Sequence, residues 1–309
     1  MEFKHISVLL NETIDSLKIN PAGLYMDATV GAGGHSYEIA KRLTTGKLVC
    51  IDQDEDALKT AKANLKEFGE NVIFVKGNFR EMKKLMMPLA LFGFDGILMD
   101  IGVSSYQLDN PERGFTFKEN TRLDMRMDKS NELTAEKILN DYEEKDLYKI
   151  FKEYGEERFS GRIAQNIVKA REKKRITTTY ELNKIIENSV LDKQDMKVKS
   201  IMRIYQALRI EVNDELNALK FAIEDAMFLL KKGGRLAVIS FHSLEDRIVK
   251  NAFKYLESDC ICDIKQAICT CDKVKTGNII TKKPIMATDE EIKNNNRAHS
   301  AKLRVIEKV

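Results

Sequence analysis

Between residues 24 and 100, short apolar runs alternate with stretches in which apolar positions recur at helical spacing. The runs at 24–28, 48–51, 72–75 and 94–99 are short and strand-like. Helix-like patterns lie between them, near 36–43, 54–68 and 80–89. This βαβ rhythm predicts a parallel sheet with helices on both sides. A fifth run, 235–240, follows the turn-like Lys231-Lys-Gly-Gly234 and is read as another strand of the same sheet.

From about Tyr106 to Asn213 the strand pattern disappears and amphipathic helices rich in Lys, Arg and Glu take over. Because strand-like sequence resumes afterwards, 106–213 is read as a helical insertion in a discontinuous domain made of 1–105 and 214–309. An insertion there leaves from the carboxyl end of a strand, the edge at which open α/β sheets bind ligands. Residues 259–283 read as irregular.

Composition narrows the class further. With 309 residues, 43% hydrophobic and 32% charged, the chain can bury a sizeable core. Its 51 Lys and Arg against 48 Asp and Glu give a net charge of +3, too little by itself to hold the chain on a polyanion, so any polyanionic partner must be met by a local basic face. The first residues, Met1-Glu-Phe-Lys-His, carry no apolar core of signal-peptide length. No run approaches the roughly 20 apolar residues of a membrane span, and a cytoplasmic protein with no membrane partner is expected. Four of the five cysteines, Cys260, Cys262, Cys269 and Cys271, crowd into one segment. In a cytosolic chain of this size they do not form a disulfide framework. They read as free thiols or as ligands of zinc or an iron–sulfur centre, and the spacing alone assigns no metal.

Candidate chemistry gathers at the predicted strand ends. The segment Asp27-Ala-Thr-Val-Gly31-Ala-Gly33-Gly34-His35-Ser36 follows the first strand and opens a helix; its glycines allow a sharp turn and close approach to a ligand. An ordinary strand-to-helix turn would use them too. Asp52 ends the second strand about 20 residues later, where a carboxylate can accept both hydroxyls of an adenosine ribose. Capping the next helix is its alternative role, although Asp54 is better placed for that. Gly77-Asn78-Phe79 sets a ring after the third strand, where it can cover an adenine or join the core. The fourth strand ends in Leu98-Met99-Asp100-Ile101-Gly102 and brings a second carboxylate to the same edge. Together these features suggest a nucleoside cofactor. The Gly-x-Gly-Gly spacing departs from G-x-G-x-x-G, which favours an adenosyl cofactor without a pyrophosphate.

From Asp100 onward the motifs become distinctive: Asp100-Ile-Gly-Val-Ser-Ser-Tyr-Gln107-Leu-Asp109, Arg113-Gly-Phe-Thr-Phe117 and Leu123-Asp-Met-Arg-Met-Asp128. With them stand His5-Ile-Ser-Val-Leu-Leu10, Tyr154-Gly-Glu-Glu-Arg158, Gln206-Ala-Leu-Arg-Ile210, Val212-Asn-Asp-Glu-Leu216, Ser240-Phe-His242-Ser-Leu-Glu245-Asp246-Arg247 and Ser300-Ala-Lys-Leu-Arg304. In this order, over nearly the whole chain, they resemble the RsmH (MraW) family of ribosomal RNA methyltransferases. The resemblance implies a Rossmann-like class I methyltransferase sheet with an inserted all-helical domain that recognises rRNA. It further implies methyl transfer from S-adenosylmethionine to the exocyclic N4 of a cytidine in 16S rRNA, at the decoding centre of the small ribosomal subunit. Carried over by position, the cofactor contacts would be Gly33, Gly34, His35, Asp52, Phe79, Asp100 and Gln107. The chain departs from the family pattern at Tyr106, Thr121-Arg122, Lys199-Ser200 and Asn296, read as turn positions where the family carries proline.

Methyl transfer from a sulfonium is an in-line displacement that chiefly requires positioning and exclusion of water. Cytosine's amine is a weak nucleophile, and an acceptor for its protons would help; Asp100 is the candidate catalytic residue. Arg158, Arg162, Lys169, Arg171, Lys173, Lys174 and Arg175 recur near helical spacing and can meet phosphates, or can simply be a solvated face. His242 is read either as a base contact or as a structural histidine. Two other classes share parts of this pattern. A nicotinamide-dependent oxidoreductase should carry the dinucleotide fingerprint, and a non-catalytic RNA-binding module has no need of two carboxylates at one sheet edge.

Overall fold

The computed structural model describes residues 7–191, 193–263, 266 and 268–309. His5 and Ile6 of the N-terminal motif lie outside the described residues. The chain divides into two compact units, one formed by Met1–Gly102 with Leu216–Val309 and the other by Val103–Glu215.

In chain order the first unit supplies α1 (Leu10–Leu17), β1 (Leu24–Asp27), α2 (Gly34–Ala40), β2 (Lys47–Asp52), α3 (Glu55–Asn64), β3 (Val72–Lys76), α4 (Met82–Met86) and β4 (Phe94–Asp100). The second unit follows with α5 (Ser105–Asp109), α6 (Ala135–Asp141), α7 (Glu144–Glu153), α8 (Ser160–Arg171), α9 (Thr179–Ser189) and α10 (Gln194–Asn213). The chain then runs through α11 (Glu215–Leu229), β5 (Leu230–Ser240), α12 (Ser243–Glu257), β6 (Gly277–Ile279), β7 (Ile285–Met286), α13 (Asp289–Asn294) and β8 (Lys302–Lys308).

The eight strands form one sheet in the order β3-β2-β1-β4-β5-β8-β6, with β7 also on β8. Strands β1 to β5 are mutually parallel, while β8 runs antiparallel to β5 and β6. Both faces are buried, as the βαβ rhythm predicts. Along β2, Leu48 and Cys50 enter one core while Val49 and Ile51 enter the other; Ala237 and Val238 of β5 divide in the same way.

Two parts of the sheet differ from the sequence reading. The turn expected at Lys231-Lys-Gly-Gly234 is a bulge inside β5, where the register slips between Phe94 and Gly96 and Gly233 takes φ 78°. Beyond it, β6 lies within the stretch expected to be irregular, and β8 joins the sheet although charged residues interrupt its apolar pattern. Those charges are used across strands: Arg235 faces Glu307 in register and pairs with it at 3.0 Å. Arg304 and Lys302 reach Asp246 of α12 at 2.6 and 3.4 Å, so two motifs distant in sequence meet in one ion-pair cluster.

The helical unit has its own core, in which Leu123, Ile138, Leu147, Phe151, Ile163, Ile186 and Leu208 are among the residues packed together. Its motifs act as ties between helices. Asn213 accepts from the Met127 N–H at 2.8 Å and donates to the Met125 carbonyl at 2.9 Å. Gln206 donates to the Tyr154 carbonyl at 2.9 Å, and fully buried Glu157 faces Arg203 at 3.6 Å. At Gly155 a β-carbon would stand 2.8 Å from the Arg203 and Phe151 carbonyl oxygens, so only glycine fits where α7 passes α10. Lys199 and Ser200, expected at a turn, lie inside the 20-residue helix α10. Without a proline, nothing interrupts the backbone hydrogen bonds there.

Candidate functional site

The strand order reverses between β1 and β4, which makes their carboxyl ends the switch point of the sheet. Asp27 ends β1, Asp52 ends β2 and Asp100 ends β4. The glycine-rich loop leaves from Asp27. Gly33 holds φ 89°, a left-handed value, and a β-carbon at Gly34 would lie 2.0 Å from the Ser7 hydroxyl oxygen. Neither position tolerates a side chain without rearrangement.

Asp52 is bound to that loop. One of its oxygens accepts from the Gly31 N–H and the other from the Asp54 N–H, both at 2.9 Å. Each oxygen keeps acceptor capacity for a further donor. Burial pushes the Asp52 carboxyl up to about 6 against these hydrogen bonds. Asp54 caps α3 by accepting from the Asp56 N–H, which separates the two roles the sequence left open.

Asp27 belongs to the same constellation, and the sequence reading did not single it out. It is 1% exposed, accepts from the Ser36 hydroxyl at 2.7 Å and from the Thr29 N–H at 3.2 Å, and is pushed up to about 6 chiefly by burial. Its position as the last strand residue before a glycine loop is the signal that marks it.

Asp100 is the most perturbed of the three. Its N–H donates to the Thr29 hydroxyl at 2.7 Å, one carboxyl oxygen stands 3.6 Å from His35 Nδ1, and the other is buried with no hydrogen-bond partner among the described residues. Burial, then the charges of Asp27 and Glu245, push its carboxyl up to about 8. The Val8 carbonyl, 3.0 Å from His35 Nε2, can only accept, so Nε2 carries a proton. In a neutral imidazole, Nδ1 is then left as the acceptor facing Asp100.

Two expected cofactor contacts have structural duties. Phe79 opens a 3₁₀ turn, Phe79–Glu81, where it is half-buried and packs against the core that contains Met82 and Met86. Beside it, Asn78 donates to Gln53 at 2.8 Å and ties the ends of β3 and β2 together. Gln107 lies in the helical unit and is buried there. Its side-chain oxygen accepts from the Ser104 N–H at 2.9 Å while the Ser104 hydroxyl accepts from the Gln107 N–H, a capping box that starts α5. His242 also caps a helix: its Nδ1 accepts from the Glu245 N–H at 3.4 Å, and Glu245 returns bonds to the N–H groups of Phe241 and His242. Nδ1 thus has a structural role, while Nε2 stands 3.0 Å from a Glu245 carboxyl oxygen.

The basic stretch in the helical unit resolves into two sets. Arg158, Arg162, Lys169 and Lys173 are exposed along and just beyond α8. Arg171 is instead turned inward to the Leu139 carbonyl at 2.8 Å. Lys174 pairs with Glu181 at 2.7 Å, and Arg175 pairs with Glu136 and Asp141 at 3.1 and 3.3 Å. Three of the seven are thus engaged within the unit itself.

Chemically, the β1, β2 and β4 ends gather three largely buried carboxylates, and among the described residues no Lys or Arg forms an ion pair with them. Such an edge suits a ligand that brings hydroxyl donors and positive charge.

The family model for the MraW methylase family matches residues 2–309. A protein of Carboxydothermus hydrogenoformans named ribosomal RNA small subunit methyltransferase H is 52% identical to this chain, covering 100% of it and 99% of that protein. Ribosomal RNA small subunit methyltransferase H 2 of Agathobacter rectalis is 50% identical over 100% of this chain and 99% of its own length. The methyltransferase H of Finegoldia magna is 49% identical with both chains fully covered.

Proposed function

The chain belongs to the MraW methylase family and is a methyltransferase that uses S-adenosylmethionine, and we propose that its acceptor is the exocyclic N4 amine of a cytidine in 16S rRNA at the decoding centre. The observation that carries this reading is full-length identity of about half to proteins named as small-subunit rRNA methyltransferases. The carboxylate edge supports only the cofactor part of this reading, because it suits a ligand that brings hydroxyl donors and positive charge.

The cofactor supplies a methyl group on a positively charged sulfur together with an amino acid end. Gly33 and Gly34 let the backbone approach it, and Asp52 accepts the ribose hydroxyls. Phe79 would border the adenine, and the family's pattern would add His35, Asp100 and Gln107 to the cofactor contacts. Asp100 would also act on the acceptor, where its oxygen, which has no hydrogen-bond partner among the described residues, would draw on the amine protons as the new carbon–nitrogen bond forms. Methyl transfer on this reading depends on holding donor and acceptor in line at near-attack distance, a matter of position rather than covalent catalysis.

The helical segment 106–213 is assigned to rRNA recognition, and 1–105 with 214–309 to the methyltransferase domain. Arg158, Arg162, Lys169 and Lys173 would supply phosphate contacts, since they are exposed and, among the described residues, form no ion pair with a carboxylate. A structured cytidine must leave its stack before its amine can meet a methyl group, and backbone contacts of this kind can hold the unstacked strand.

The test is incubation with deuterated-methyl S-adenosylmethionine and small ribosomal subunits from a strain lacking the enzyme, followed by nucleoside mass spectrometry. Labelled N4-methylcytidine is expected. Label in another nucleoside, or none with naked rRNA and subunits both tried beside an active control enzyme, would overturn the assignment of the acceptor.

A further inference from the structure

The connection from α12 to β6 contains neither helix nor strand among its described residues, yet it brings four sulfur atoms together. The Sγ atoms of Cys260, Cys262, Cys269 and Cys271 all lie within 4.8 Å of one another. Four of the pairs stand at 3.6 Å (Cys260 with Cys269), 3.8 Å (Cys260 with Cys271), 3.9 Å (Cys262 with Cys269) and 3.6 Å (Cys269 with Cys271). A tetrahedron of thiolates around zinc, with zinc–sulfur bonds of about 2.3 Å, has edges of about 3.8 Å. We propose that these four cysteines form a closed structural site for a single zinc ion.

The surroundings of the sulfurs point the same way. The Ile261 N–H donates to Cys271 at 3.3 Å, the Cys262 N–H to Cys260 at 3.4 Å and the Thr270 N–H to Cys262 at 3.5 Å. Backbone donors aimed at sulfur favour the thiolate, the form that binds metal. Four thiolates this close cannot all ionise without a cation among them, and zinc binding releases the remaining thiol protons to solvent.

The segment also needs such a tie. Its apolar residues Ile261, Ile268 and Val274 are 56%, 77% and 71% exposed, so no core of its own holds it. Its described anchors at the base are few, with the Thr276 N–H bonded to the Leu256 carbonyl and Lys273 to the Ser258 carbonyl. A metal cross-link supplies in such a stretch the order that burial does not. Soft thiolates select zinc or iron among the common metals, and a polynuclear iron–sulfur cluster would spread its cysteines over several irons rather than one tetrahedron. All four ligands come from the protein, which leaves no open position and marks the site as structural.

The experiment is elemental analysis of the full-length, untagged protein purified under anaerobic reducing conditions from cells grown without added metal. One zinc per chain is expected, released when a thiol reagent modifies the cysteines and detected by a chromophoric chelator. Replacing it with cobalt should give the sulfur-to-metal charge-transfer absorption of a tetrahedral thiolate site. The double variant Cys269→Ser with Cys271→Ser should lose the metal while still binding S-adenosylmethionine. Metal-free protein with four freely titrating thiols, a mass showing disulfides, iron in place of zinc, or zinc retained by the double variant would each overturn the proposal.

Discussion

Buried acids are handled in two ways. In the helical unit several are matched by an arginine: Asp124 takes a two-pronged bond from Arg126 at 2.8 and 2.8 Å, Glu157 faces Arg203, and Glu215 takes a two-pronged bond from Arg209 at 2.8 and 2.9 Å. Burial raises the Asp124 carboxyl, but the Arg126 bonds and charge leave it below its ordinary value. At the sheet edge, the Asp27 and Asp52 carboxyls accept from a hydroxyl and backbone N–H groups, the Asp100 carboxyl has only His35 beside it among the described residues, and all three are raised. A buried charge that is paired builds the fold; one left without a cation is a place prepared for a ligand.

The largest effect should come from removing the least compensated acid. Asp100→Ala is expected to lower kcat for methyl transfer by about 10²- to 10³-fold, with circular dichroism unchanged. An unchanged kcat would put Asp100 with the structural acids. Next, Arg203→Ala strands buried Glu157 and should cost about 2–3 kcal/mol in urea unfolding, much of it recovered by Arg203→Lys. A cost near zero would remove the distinction between the two units. Asp52→Asn should weaken S-adenosylmethionine binding about tenfold, of order 1 to 2 kcal/mol in calorimetry, without lowering the stability of the free protein. Smallest is the surface: Arg162→Glu with Lys169→Glu should reduce the salt slope of rRNA binding by about two, one for each phosphate no longer engaged. An unchanged slope would show that the exposed charges on α8 are merely solvated.

The contrast also separates what the sequence discloses from what only packing can. Strands β1 to β5 are legible because burial on both faces requires apolar runs, and the glycine loop is legible because Gly33 and Gly34 have steric reasons to be glycine. Strand β8 was not, because its Arg304 and Glu307 satisfy partners 58 and 72 residues away in Asp246 and Arg235. Asp246 and Asn213 stand in long motifs whose purpose is equally nonlocal, and so they look functional in sequence while serving as ties between elements. Part of the basic stretch near α8 also has nonlocal partners, since Glu136 and Glu181 pair with Arg175 and Lys174. Cys-x-Cys spacing raised a metal without deciding it; the convergence of the two pairs is a property of the folded segment.

The central claim is that the raised carboxylates at the sheet edge receive a cationic cofactor, and its sign can be derived. Carboxyls raised to about 6 and about 8 favour the protonated free protein, and the stability this gives is lost as pH rises through those values. A cation favours the ionised carboxylate, so binding below those values must expel a proton and is weakened by that cost. The direct measurement is titration calorimetry of S-adenosylmethionine between about pH 6 and about pH 7.5, a range over which the cofactor's own amine stays largely charged. Affinity should rise with pH, by up to about tenfold per unit, with proton release visible as a buffer-dependent heat, and Asp100→Asn should flatten the upper part of that slope. Affinity independent of pH, or a slope that Asp100→Asn leaves intact, would contradict the account.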